Sequence, residues 1–430
     1  MGAGQPPTAR RALGLPELIS IGVGGMIGGG IFSVLGLAVD VSGNAAPLAF
    51  AVGSVIALVA GYSYTHLALA YRSDGASFTY LERAFPKRPA IAGVAGWTVV
   101  VGYVGTLALY AFTFGAYASH LLGQADVAAA RALLSLGVLG LFVGVNLVGA
   151  RTMGRAEDVV VYIKIVLLAV LAVAGFFTID TGQFVPLFDQ GRSSVLLGGA
   201  LIFVAYEGFQ LITNAVNETR NPDHNIPRGI YGSIIITSVI YVAIAVISVG
   251  NLDPQSIHAA REYALAEVAR PILGRAGPVL VDVAAMLATA SAINATLFGS
   301  ARLASEIATD KLAPAIFSFR SHTDVPVAGV LSIAALAALL TLFGGLEVIA
   351  AFSSMTFLLV SIGVCVANFR LRAKTASQPV PILAGLVLIG ATVALLVLYL
   401  VRNNPSVLVF TAIVYVVTAG AHLTFERLRR

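Results

Sequence analysis

The sequence predicts an all-α polytopic membrane protein of twelve helical spans, and three observations predict it. Hydrophobic residues make up 58% of the 430-residue chain and charged residues 11%, against about 25% charged in ordinary soluble domains. The mean hydropathy is +0.90. The longest polar stretches, about 72–90, 218–229, 251–276 and 309–325, are loop-sized. No soluble catalytic domain fits between the spans, so function has to reside inside the bundle.

A spanning helix needs about 20 apolar residues. Apolar runs bounded by charges, Gly or Pro place the first six spans at 15–40, 45–71, 90–122, 131–149, 157–178 and 194–217. The other six fall at 229–250, 277–308, 326–344, 347–370, 381–401 and 405–425. Spans one, three and eight are long. Residues 1–14 carry Arg10 and Arg11 but no short apolar core with a small-residue cleavage site, so the first span is expected to act as its own signal. Cys365, the single cysteine, lies in an apolar run and leaves neither a disulfide framework nor a Cys-based metal site.

A formal charge of +5 would suggest nucleic acid in a soluble chain. In a polytopic chain, basic residues mark cytoplasmic loops. With the N-terminus in the cytoplasm, 19 of the 26 Lys and Arg fall at or near the inner ends of the spans, six at the outer ends, and Lys164 alone lies within the body of a span. This asymmetry predicts a multi-pass protein of the cell (inner or plasma) membrane with both termini cytoplasmic and no nucleic-acid partner.

Two spans are interrupted. Gly22, Gly24, Gly25, Gly28, Gly29 and Gly30 crowd the middle of span one, where glycine weakens helix. Span six carries Phe203-Val204-Ala205-Tyr206-Glu207-Gly208-Phe209, with a carboxylate at about mid-depth, where charge is costly. The breaks are an odd number of spans apart, so span six enters from the opposite side to span one, the topology of an inverted repeat. Paired breaks expose half-helix N-termini and free carbonyls near the midplane, a site suited to a zwitterion. Taken alone, the glycine run also suits close helix packing.

Three motifs resemble the amino acid permeases of the amino acid-polyamine-organocation superfamily. Gly25-Met26-Ile27-Gly28-Gly29-Gly30-Ile31-Phe32 is similar to that family's Gly-x-Ile-Gly-x-Gly-Ile-Phe signature. Phe203 to Phe209, followed by Asn217 to Arg228 with its Asn-Pro and Asn-Ile-Pro-Arg elements, resembles the sixth helix and its exit. Ser291 to Arg302 and Asp310 to Pro314 resemble the eighth. Gly154-Arg155-Ala156-Glu157 leading to Lys164, Ile212 to Ala215, and the loop from Gly250 to Gly277 look especially like archaeal proton-coupled members of broad specificity.

The resemblance implies a LeuT-type fold with a 5+5 inverted repeat: a cytoplasmic tail at 1–14, repeats at 15–178 and 194–372, further spans at 381–425 and a tail at 426–430. It implies that backbone N–H groups of Gly28, Gly29 and Gly30 receive a substrate carboxylate at a helix N-terminus. Carbonyls near Met26 and Ile27, and near Phe203, Val204 and Tyr206, would take the α-ammonium group, with Phe203, Tyr206 and Phe209 facing or gating the pocket. In proton-coupled relatives a lysine matching Lys164 puts its ammonium where sodium-coupled carriers hold sodium, with Ser291 as polar partner. The alternative for Lys164 is snorkelling.

Glu207 departs from the family pattern, which has an apolar or small residue before this glycine; Gln210 stands where relatives are often acidic. Glu207 is left to bind a cationic group, to carry protons, or to accept hydrogen bonds while protonated. His66, Asp282, Asn217 and Asn294 are expected to make structural contacts. Asp74 to Arg83 resembles the family's short cytoplasmic helix, with a lid-like outer counterpart at Ala259 to Leu273.

The expected function is import of amino acids by proton-coupled symport through alternating access, with no cofactor, protons as the coupling ion and sodium as the alternative. Amino acid/polyamine or organic cation transport or exchange is the second reading. A channel would want a repeated polar lining, and a membrane enzyme a catalytic cluster that six scattered histidines do not supply.

Overall fold

A computed structural model describes residues 13–73, 75–148, 154–321 and 325–429. The tail with Arg10 and Arg11, Asp74, Arg151 and Arg430 lie outside the described residues, as do the side chains of residues 154–159. Span one is α1 (Leu15–Met26) and α2 (Gly30–Ser42). Spans two to five are α3 (Ala46–Tyr71), α5 (Pro89–Leu121), α6 (Ala128–Val148) and α7 (Gly154–Phe176), with the short α4 (Ala76–Ala84) between the first two. Span six is α8 (Ser193–Leu201), a 3-10 stretch over Phe203–Gln210 and α9 (Leu211–Asn214), bent by 47°. Span seven, α10 (Pro222–Asn251), is followed by α11 (Pro254–Ala259) and α12 (Ala264–Leu273). Spans eight to twelve are α13 (Ala276–Thr309), α14 (Val327–Phe343), α15 (Gly345–Thr375), α16 (Pro379–Asn403) and α17 (Pro405–Arg429).

Sequence and structure differ at three places. The polar stretch 218–229, read as a loop, is mostly the first two turns of span seven, begun by Pro222 at a first-turn position where its missing N–H costs nothing. The lid is two helices rather than one, broken at residues 260–263. In span one only residues 27–29 leave the helix; Gly22, Gly24 and Gly25 remain helical and serve packing. A Cβ on Gly22 would overlap Ser233 and Ile212, and one on Gly24 would meet Val161 at 2.8 Å.

The contacts between spans occur in pairs that exchange spans one to five for spans six to ten. Span three packs on span eight, and span two on span seven. Span one packs on span seven as span six packs on span two; span three meets spans four and ten as span eight meets spans nine and five. Even the short helices correspond: α4 lies on spans three and ten, α12 on spans eight and five. This is the LeuT-type inverted repeat, with spans eleven and twelve on the outside. The reversal from span one to span two turns at Gly43 (φ +55°), where Asn44 N–H donates to Asp189 at 3.0 Å. An even number of spans leaves both termini at one end of the bundle; α11 and α12 form a lid over the other.

Candidate functional site

The two breaks touch at the centre. Gly208 lies so close to the Gly25–Met26 backbone that a Cβ there would overlap it, an approach only glycine permits. The α1 ladder stops at Ile27, whose N–H reaches Val23 O at 2.8 Å, and the next ladder resumes with Ser33 N–H to Gly29 O at 2.8 Å. Between them the first N–H groups of α2 have no intrahelical carbonyl, which makes Gly29 and Gly30 the start of an anion-receptive helix end. Gly28 sits against span eight, where a Cβ would come 2.7 Å from Ala292, the neighbour of half-buried Ser291.

Hydroxyls from three spans hold the breaks open. Tyr241 of span seven reaches Met26 O at 2.6 Å and Ala205 O at 3.3 Å, so one phenol ties span one to span six. Tyr110 of span three donates to Gly25 O at 3.4 Å. Ser354 of span ten accepts from Val204 N–H at 3.0 Å and donates to Leu201 O at 2.6 Å. Lys164 of span five, 1% exposed, donates to Gly24 O at 3.4 Å. Spans five and ten are repeat partners, so Lys164 braces span one as Ser354 braces span six. The ammonium also lies at the C-terminal end of α1, where the helix dipole favours a cation.

Met26, Ile27, Phe203, Val204, Tyr206 and Phe209 are all buried, and none of the three aromatic rings faces lipid. Tyr206 turns toward span two, donating to Phe50 O at 2.8 Å and accepting from Ser54 at 3.2 Å. Phe209 meets Tyr64 edge to face at 5.5 Å. Glu207 is 6% exposed; Thr106 of span three donates to Oε1 at 3.1 Å, and Oε2 has no partner among the described residues. Asn294 accepts from Asn146 at 2.9 Å, and His66 contacts Thr375 O at 3.0 Å, interhelical bonds of the structural kind expected. Tyr241, Tyr110, Thr106 and Ser354 are missed by sequence reasoning, because hydroxyls at single positions of apolar spans have no spacing to betray them.

Both mouths are covered. At the terminus end Leu13 N–H donates to Glu218 O at 3.2 Å, Arg220 N–H to Leu13 O at 2.8 Å, and Arg72 pairs with Asp223 at 2.9 Å. At the lid end His258 and Arg261 reach Asp40 of α2 at 2.6 and 3.5 Å.

The amino acid permease family matches residues 13–423. This chain belongs to that family. It is 30% identical over 396 residues to an uncharacterized protein of Methanocaldococcus jannaschii, covering 92% of this chain and 91% of that protein. It is 30% identical over 385 residues to the inner membrane transport protein YbaT of Escherichia coli, covering 88% of each. It is 25% identical over 395 residues to cationic amino acid transporter 3, mitochondrial, of Arabidopsis thaliana, covering 86% of this chain and 64% of that one. This amino acid permease is a polytopic membrane transporter of small molecules and not an enzyme, because the family it belongs to is one of transporters.

Proposed function

We propose that this permease imports amino acids by symport with protons through alternating access, with both termini cytoplasmic and the lid facing outward across the cell membrane. Supporting the substrate reading, the N-terminal end of α2 at Gly29 and Gly30 suits a carboxylate, with Gly28 allowing close approach. The Ile27 carbonyl suits the α-ammonium group, with those of Phe203, Val204 and Tyr206, which lie in the 3-10 stretch, as shared acceptors through a second lone pair; the Met26 carbonyl already accepts from Tyr241. The repeats 15–178 and 194–372 would then rock about this centre.

The observation that carries proton coupling is the Lys164 ammonium on Gly24 O, three residues before the break. Protonated, it holds the end of α1 by a charge-assisted bond; neutral, it loses the attraction to the helix dipole. Half-buried Ser291, beside the α1–α2 break, supplies a polar neighbour on span eight. In proteoliposomes, Lys164→Ala is expected to remain folded and to lose the acceleration of uptake by an inward proton gradient. Unchanged proton-driven uptake in this variant would leave the lysine a structural brace on α1, and acceleration of the wild type by sodium alone would replace the proton with sodium.

Transport or exchange of cationic amino acids or amines is a second reading, favoured by the unpartnered Oε2 of Glu207. The Arabidopsis relative, a cationic amino acid transporter by name, points the same way.

A further inference from the structure

Among the described residues, a dense group of titratable side chains lies away from the central site, under the lid. His120 ends span three. Its Nδ1 stands 2.9 Å from both carboxylate oxygens of Asp282 on span eight, and its Nε2 3.1 Å from Glu267 on α12. Asp282 is 1% exposed, and the Tyr263 ring stacks on the imidazole at 4.3 Å. Arg270 donates to Glu267 at 2.7 and 2.9 Å, which holds that carboxyl below its ordinary value. Around this group stand Glu262 of the lid paired with Arg131 of span four, Asp126 of the connector beside Tyr263, and Tyr117 one turn down span three. Farther along the lid, Asp40 holds His258 and Arg261.

A neutral imidazole has one N–H and one bare nitrogen. Here each nitrogen faces a carboxylate, and a bare nitrogen against an ionised carboxylate repels it. The closed arrangement therefore needs one proton more than a neutral His120 beside two carboxylates. Opening is different: Glu267 rides on α12 and leaves with the lid, while Asp282 and His120 stay on spans eight and three.

We propose that His120, Asp282 and Glu267 form a proton-binding site, separate from Lys164, whose occupation locks the lid over the central site. It rests on the reading of the chain as an alternating-access transporter, in which α11 and α12 gate one mouth. The sign follows from linkage. The closed lid binds the proton more tightly than the open one, so closure is favoured at low pH and lost as pH rises through the value for the closed site. One linked proton changes the closed-to-open ratio by at most about tenfold per pH unit.

Cys365 is buried, so an introduced cysteine reports with little background. In the full-length protein without substrate or gradient, Ala266→Cys on the buried side of α12 is labelled by a membrane-impermeant maleimide across a range of pH. Its rate is divided by that of Gln124→Cys, on the exposed connector, to remove the pH dependence of the thiol. The ratio is expected to fall as pH falls, and His120→Gln should flatten it. Glu267→Gln, which keeps the imidazole but removes one acceptor, should move the fall to lower pH, and this variant decides the matter if His120→Gln does not fold. A wild-type ratio independent of pH, the wild-type slope persisting in His120→Gln, or a fall left at the wild-type pH in Glu267→Gln overturns the proposal. Loss of proton-driven uptake in the wild type would instead remove the symport reading and leave the lid measurement standing.

Discussion

Glu207 is the residue where chemistry and sequence pattern part most sharply. It occupies the position before Gly208, the glycine that lets spans six and one touch, and one of its oxygens is held by Thr106 while the other has no partner among the described residues. A buried carboxylate in that condition either takes a proton or awaits a cation. Glu207→Gln separates the two. If the group reads a cation, binding of lysine, arginine or amines should fall by about 30-fold or more, the cost of removing one partner of a buried charge pair, with alanine and leucine little affected. If it carries a proton, neutral substrates bind normally and the pH dependence of uptake changes. We expect the second outcome, because Tyr206 and Phe209 bring apolar rings to this stretch. A binding panel on the purified wild type and variant checks it, and exclusive binding of dibasic amino acids or polyamines by the wild type would reverse the expectation. Lys164 and Glu207 stood out in the sequence because charge within an apolar run is costly and therefore conspicuous. Tyr241 did not, since a tyrosine in a span reads equally as packing, as hydrogen bond or as lipid-facing ring.

At the scale of elements, the glycines of span one have two duties that a sequence cannot separate. The run read as a long break is mostly helix, and three of its glycines admit neighbouring spans; only residues 27–29 are unwound. Gly28 combines both duties, since it lies at the break and faces Ala292 of span eight. Gly28→Ala is expected to destabilise the protein by about 1–3 kcal/mol, the usual cost of overpacking, and to abolish binding. Adding Ala292→Gly removes the methyl it strikes and should restore thermal stability. If the Gly28 backbone also receives the substrate carboxylate, binding stays lost in the double variant even though the packing is relieved. Recovery of binding together with stability would assign Gly28 to packing alone. The twelve spans were legible because hydrophobic length fixes them, whereas the start of span seven was not. Its Asn-Pro…Asn-Ile-Pro-Arg segment has loop composition, yet Pro222 at the first helical position costs no hydrogen bond, and the helix carries Pro227 inside its second turn at the loss of one.

For the molecule as a whole, the inverted repeat makes the two ends of the bundle alike in plan: α4 at one end lies on spans three and ten as α12 at the other lies on spans eight and five. What distinguishes the ends is charge. The terminus end carries most of the Lys and Arg, among them Arg83, Lys87, Arg88, Arg370, Arg372 and Lys374, while the lid end pairs its fewer arginines with acids, as in Arg131 with Glu262 and Arg270 with Glu267. Basic residues near span ends are retained in the cytoplasm during insertion, whereas paired acids contribute little to orientation. The lid should therefore face outward and take the outside pH, which is the side from which an importer driven by protons must load. Because Cys365 is buried, single cysteines map this directly. In intact cells, an impermeant maleimide is expected to label Gln190→Cys, between spans five and six at the lid end, and to spare Ala373→Cys at the end of span ten until the membrane is permeabilised. The reverse pattern would invert the molecule in the membrane. The lid would then close on the cytoplasmic side, and proton binding beneath it would resist release of substrate instead of following its capture.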